Sequence, residues 1–182
     1  MTQPLVVGTL VGNPRPGSRT LHAARALSEA IRRTLTAAGR DTAQDGPLVD
    51  AALLAPEVFA PGSTAVPEAL ETLRRADVLV VASPTYKATY TGLLKAVLDR
   101  APADWLRGRT AVPLLVAAAD RHALAVEVHL KPLLAELGAA VPGRGLFVDE
   151  ALLNGDPADL VDVLSDRLAE AGWSAEPAGA LR

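Results

Sequence analysis

Apolar residues in this chain fall into short unbroken runs, separated by segments of helical period. Residues 5–11 form a run rich in β-branched side chains without clear alternation, the pattern of a strand covered on both faces in a parallel sheet. Asn13, Pro14, Pro16 and Gly17 then break regular structure, and from Ser18 the period changes. Leu21, Ala24, Leu27, Ile31 and Leu35 recur at threes and fours. They predict an amphipathic helix ending near Gly39, with Ser18 or its neighbour as N-cap. Residues 40–67 are rich in Ala, Pro, Asp and Gly, so a second strand there is expected to be short and irregular. Residues 66–75 read as a helix with Pro67 in its first turn, and 77–82 as the cleanest buried strand of the chain. A helix at 90–100, a strand at 110–119, a helix at 121–137, a strand at 140–147 and a helix at 157–171 follow. Strands and helices alternate, as in a doubly wound α/β domain. The expected organisation is one domain over residues 1–175 with a loose tail at 176–182.

Composition narrows the chemistry. Aromatic residues make up 3% of the chain, so a flat ligand must be held mainly by backbone and aliphatic contacts. A formal net charge of -3, with no basic block longer than a pair, argues against nucleic acid as a partner. A small anion needs only a few placed donors and stays open. Cysteine is absent, which removes disulfides, thiolate catalysis, Cys-ligated zinc and iron–sulfur clusters. No basic-then-apolar leader precedes the first strand, and the apolar runs fall far short of the roughly 20 residues that span a bilayer. A cytoplasmic location with no membrane partner is expected.

Open parallel sheets bind ligands at the carboxyl ends of their strands, and three such ends carry unusual loops. The first runs Gly12-Asn13-Pro14-Arg15-Pro16-Gly17-Ser18-Arg19-Thr20. It offers amides at a helix N-terminus, the hydroxyls of Ser18 and Thr20, and a guanidinium from Arg15 or Arg19, which is what a terminal phosphate requires. A Walker lysine and the Gly-x-Gly-x-x-Gly fingerprint are both missing, so a monophosphate fits better than a pyrophosphate. The second loop is Ser83-Pro84-Thr85-Tyr86-Lys87, where Tyr86 could cover an apolar ring and Lys87 could supply charge beside a reduced, anionic cofactor. Tyr90 could lie near the site, in a subunit contact or in ordinary packing. The third loop is Ala117-Ala118-Ala119-Asp120-Arg121-His122, whose small residues let a ring approach the backbone. Asp120 could simply cap the next helix, and His122 is as well explained by structure as by catalysis. Glu127 and His129 are two apart and point away from each other on a helix, so no metal site is expected. No Gly-x-Ser-x-Gly elbow supports a hydrolase. A phosphate loop without an obvious acid, base or nucleophile suits a redox cofactor protein.

These residues resemble the NAD(P)H-dependent FMN reductases, particularly those that supply reduced flavin to two-component monooxygenases such as the alkanesulfonate system. The resemblance rests on Gly12-Asn13-Pro14 with Ser18-Arg19-Thr20 and on the run Ser83 to Lys95. It continues through Leu98-Asp99, His122 to Val126, Leu130 to Leu134 and Gly145-Leu146-Phe147 with the acidic pair Asp149-Glu150. It implies a flavodoxin-like, doubly wound parallel five-stranded sheet with helices on both faces, assembled as a homodimer or homotetramer. It implies FMN and NADPH or NADH, with hydride passing from nicotinamide C4 to flavin N5 and no side-chain nucleophile. Ser18, Arg19 and Thr20 would hold the FMN phosphate with Asn13 nearby, and Pro84, Thr85, Tyr86 and Lys87 would line the ring. Ala117, Ala118, Ala119 and Asp120 would flank its other side. A flavin-dependent monooxygenase would be the partner receiving reduced FMN.

Two positions depart from the family. Val116-Ala117-Ala118 stands where a Thr-Gly-Gly type sequence is usual, and two added methyl groups crowd the flavin or the nicotinamide if the backbone there needs glycine dihedrals or very close approach. Members that release flavin as a substrate can carry an inserted aromatic or histidine producing a π-bulge. Here the segment is Glu127-Val128-His129-Leu130, with Val128 or His129 at that point. The alternatives are a retained-FMN quinone or azo reductase, an electron carrier, and a flavin-binding or structural protein with little reductase activity. Arg107 and Arg109 are basic candidates for a nicotinamide phosphate.

Overall fold

A computed structural model describes residues 3–118 and 122–173. Five parallel strands carry it: β1 (Val7–Val11), β2 (Leu48–Asp50), β3 (Val78–Pro84), β4 (Thr110–Ala117) and β5 (Leu146–Asp149). Their spatial order is β2-β1-β3-β4-β5. Every residue of β1, β3 and β4 is buried, which is why their sequences are continuously apolar instead of alternating. One face is covered by α1 (Arg19–Ala37) and α5 (Pro157–Glu170), packed on Val78, Val80, Ala82, Val112, Leu114 and Val116. The other face is covered by α2 (Ala65–Leu73), α3 (Gly92–Leu98) and α4 (Lys131–Glu136), packed on Leu10, Leu79, Val81 and Leu115. This is the doubly wound arrangement of the flavodoxin-like expectation, with the strand order reversing between β1 and β3.

The differences from the sequence expectation have local causes. β2 is only three residues long, enough to extend the sheet beside Thr9–Val11 but too short to show a pattern. α3 starts at Gly92, because Thr91 caps it and Tyr90 stays outside. β3 continues through Ser83 and Pro84, pairing with Leu115 and Val116. The expected strand at 140–147 is interrupted: Ala140 makes an isolated bridge to Thr110, and pairing resumes only where Leu146 meets Leu114. Ala111 N–H donates to the Ala140 carbonyl at 2.8 Å, so odd-numbered amides of β4 point toward β5. Pro113 is the next of these and has no N–H, which removes a rung where residues 141–145 pass. The helix expected at 121–137 is a π-helical turn, Val126–Leu130, running into α4.

The strands and loops of the upper rim are tied together by Thr91. It is 2% exposed, its N–H donates to Ser83 Oγ at 3.0 Å, and its hydroxyl donates to the Gly12 carbonyl. The same oxygen accepts the Leu94 N–H at 3.1 Å. Gly12 in turn donates to the Ala82 carbonyl at 2.8 Å. A Cβ on Gly12 would collide with the Leu94 side chain, so glycine is what lets α3 close against β1. Thr91→Val keeps the shape but leaves the buried Gly12 carbonyl without its donor and the Leu94 amide without its cap. It should lower unfolding free energy by about 1–3 kcal/mol in denaturant titrations, with Thr91→Ser recovering most of the loss.

Candidate functional site

The strand registers bring Asp50, Val11, Ala82, Leu114 and Leu146 to one level, so all five carboxyl ends open on one rim. The β1/β3 switch point lies in its middle, where this topology leaves a crevice.

The loop after β1 is folded by its own side chains. Asn13, 7% exposed, accepts the Arg15 N–H at 2.9 Å and donates through Nδ2 to Thr20 Oγ1 at 3.1 Å. Gly17 takes φ +62, a left-handed conformation that suits glycine, and donates its N–H to Asp50 Oδ2 at 3.2 Å. Ser18 caps α1 by accepting the Leu21 N–H at 3.3 Å. The amides of Arg19 and Thr20, the first two of α1, donate to no acceptor among the described residues. The Ser18 and Thr20 hydroxyls, each already an acceptor, keep a hydrogen to donate. Arg19 extends toward the strand end at β5, where its Nη2 meets Glu150 Oε2 at 2.6 Å. Free amides, hydroxyls and a guanidinium at a helix N-terminus form a receptor for a compact anion.

The loop after β3 begins with the Thr85 N–H donating to the Val116 carbonyl at 2.7 Å. Tyr86 and Thr89 then exchange backbone bonds of 2.8 and 3.3 Å around a two-residue turn. Lys87 and Ala88 occupy that turn with φ of 53 and 67. Such turns ordinarily use Asn-Gly, so the backbone here is strained by side chains that disfavour left-handed dihedrals. The turn presents Tyr86 at 47% exposure, with Lys87 exposed beside it. Tyr90 packs against the apolar layer that includes α3.

Ala117 is buried at the end of β4, and Ala118 is exposed. Among the described residues, the left-handed non-glycine positions are Lys87, Ala88 and Asp104, so neither alanine sits in a conformation reserved for glycine. Ala119, Asp120 and Arg121 lie outside the described residues. His122 is half-buried and precedes the π-helical turn, whereas His129 is exposed within it, so the two do not form a pair on one regular helix. Glu127 Oε1 accepts the Gly145 N–H, and Lys131 Nζ donates to the Gly143 carbonyl, which pins this turn to the segment before β5. Arg107 and Arg109 lie at the far end of the sheet, paired with Asp104 and Asp77, and take no part in this rim. On α3, Lys95 Nζ donates to Asp99 Oδ1, and this hydrogen bond raises the lysine's pKa above its ordinary value. No group of three or more His, Asp or Glu that could hold a metal occurs among the described residues.

Among the described residues, Thr85 Oγ1 and His122 Nδ1 are buried polar atoms on this rim without a hydrogen-bond partner. Buried polar groups are normally satisfied, so these two atoms leave hydrogen-bonding capacity for a ligand or a water. With the anion receptor on one side of β1 and these atoms beyond β3 and β4, the residues fit a phosphate-tailed ligand carrying a polar-edged ring. Sequence reasoning missed Asp50, Ser83, Thr91 and Glu150. Thr91 followed by Gly-Leu-Leu carries a helix N-cap signal, whereas the partners of the two acids are distant in sequence.

Known proteins resemble this chain in fold and in sequence. An oxidoreductase from Corynebacterium diphtheriae superposes with a TM-score of 0.75 at 25% identity, covering 98% of this chain and 96% of the other. The apo form of the NADH:FMN oxidoreductase EmoB gives 0.73 at 27% identity, covering 95% and 96%. An FMN reductase (NADPH) from Escherichia coli is 43% identical over 81 residues, 44% of this chain and 42% of the relative. The NADH-dependent FMN reductase SfnE from Pseudomonas putida is 33% identical over 163 residues, 83% and 80%. Against the E. coli protein and an FMN reductase (NADPH) of Pseudomonas putida, the aligned stretch spans about half the relative's length. The family model for NADPH-dependent FMN reductase matches residues 5–152, and the chain belongs to that family.

Proposed function

We propose that this protein is an NAD(P)H:FMN oxidoreductase that takes FMN into the β1/β3 crevice. The observation that carries the reading is the convergence of two half-sites: the unsatisfied amides of Arg19 and Thr20 on one side, and the orphaned Thr85 hydroxyl on the other. FMN, when bound, supplies the hydride-accepting ring. The protein's part is to hold and orient it. Ser18, Arg19 and Thr20 grip the phosphate, with Asn13 fixing the Thr20 hydroxyl. Pro84, Thr85, Tyr86 and Lys87 line the ring edge, and Ala117 and Ala118 flank its other side. Lys87, exposed on its strained turn, places positive charge where reduction creates negative charge. Both nicotinamides appear among the relatives' names, and either is a candidate donor.

The π-helical turn at Val126–Leu130 favours FMN as a substrate that is released over FMN as a fixed group, because that bulge is the feature expected of flavin-releasing members. A flavin-dependent monooxygenase as recipient and a homodimer or homotetramer as the working form belong to the same proposal.

NADH and NADPH oxidation followed while free FMN is titrated should show saturation in added FMN, with no flavin retained through gel filtration. Stoichiometric retained flavin and a rate independent of added FMN would overturn release, and no oxidation of either nicotinamide would overturn the reductase reading. Arg19→Ala should weaken FMN binding about tenfold while leaving riboflavin unchanged, since only FMN carries the phosphate. Equal weakening of both flavins contradicts the phosphate role.

A further inference from the structure

Arg19 is not idle in the absence of ligand. Its guanidinium is held 2.6 Å from the Glu150 carboxylate, across 131 residues of sequence. The acid is carried on a built element. Asp149, the last residue of β5, pairs with Ala117 and caps the following 3-10 turn, Glu150–Asn154, by accepting the Ala151 N–H at 2.7 Å. Leu153 of that turn packs on the apolar layer beneath α1 and α5. Glu150 therefore stands at the rim with its side chain 34% exposed, and it approaches Arg19 from the opposite edge of the sheet to Asp50.

We propose that Glu150 is an internal competitor for the flavin phosphate, setting how loosely FMN is held; this rests on Arg19 being a phosphate ligand, as proposed above. A phosphate arriving at the amides of Arg19 and Thr20 meets a guanidinium already neutralised by a carboxylate. Either the Arg19–Glu150 pair breaks, at the cost of that interaction, or it persists and two anions sit near one cation. Both routes weaken phosphate binding, and neither affects a flavin without a phosphate. The phosphate still prevails, because it carries more charge and reaches two amides that Glu150 leaves unused. Glu150 thereby trims the advantage of FMN over riboflavin and shortens the residence of a ligand that must leave in reduced form.

The test is a fluorescence titration of FMN and riboflavin against the wild type, Glu150→Gln and Arg19→Ala, without nicotinamide. Glu150→Gln keeps the side chain's shape and removes its charge. The partly exposed pair is worth little in water, so FMN Kd should fall about twofold to fivefold, with riboflavin Kd unchanged. The gain should shrink as ionic strength rises. Weaker FMN binding by Glu150→Gln would show that the acid positions Arg19, and would overturn competition. No change, or equal tightening of both flavins, would also overturn it. Arg19→Ala separates the two levels: if it selectively weakens FMN while Glu150→Gln is silent, the phosphate site stands and the competitor falls. If Arg19→Ala leaves FMN unaffected, the phosphate reading falls first.

Discussion

The close approach of α3 to the end of β1 is the constraint on which the rim depends. Gly12 has no side chain because Leu94 fills the space where one would go, and the Thr91 hydroxyl closes the same gap by donating to the Gly12 carbonyl. Ser83 joins the knot through the Thr91 amide, so the loop after β1 and the loop after β3 leave from a single hydrogen-bonded junction. Their separation is therefore fixed by the backbone before any ligand arrives. A ligand with a phosphate at one end and a ring at the other finds both contacts at a preset span, which reduces the ordering entropy that binding would otherwise cost.

An acidic chain that receives an anion must do so with local donors. Net charge is -3, and the rim carries Asp50 and Glu150 against it. The attraction comes from amides aligned at the start of α1, reinforced by hydroxyls that can still donate. Asp50 is the buried member of the two acids, and it spends its charge on the Gly17 amide and on the Ala52 amide of the turn after β2. It shapes the loop, whereas the more exposed Glu150 faces the guanidinium. Two carboxylates of like charge thus act differently because one is enclosed by backbone donors and the other is partly in water.

What could be read in the sequence was whatever local pattern determines. β1, β3, β4, α1 and α5 were legible because continuous apolar runs and threes-and-fours periodicity are properties of the segment itself. The turn into α1 was legible for the same reason, since a helix start, two hydroxyls and a glycine lie within nine residues. β2 was not, because three residues paired to one neighbour carry no period. The delayed start of β5 depends on a proline in another strand. The left-handed Lys87-Ala88 turn depends on bonds between Tyr86 and Thr89 that override the usual residue preference. The conformation of Ala117 and Ala118 was not legible either, since only the folded backbone shows that neither takes a left-handed φ.

The missing amide of Pro113 has a mechanical consequence. Where a sheet would ordinarily be laced edge to edge by rigid backbone rungs, the segment before β5 is instead tethered by the side chains of Glu127 and Lys131. A backbone ladder is stiff, short-ranged and indifferent to salt, whereas these tethers are jointed arms several bonds long. The π-helical turn that carries Glu127 is thus joined to the sheet's outer edge by side-chain hydrogen bonds to backbone groups in place of a strand rung.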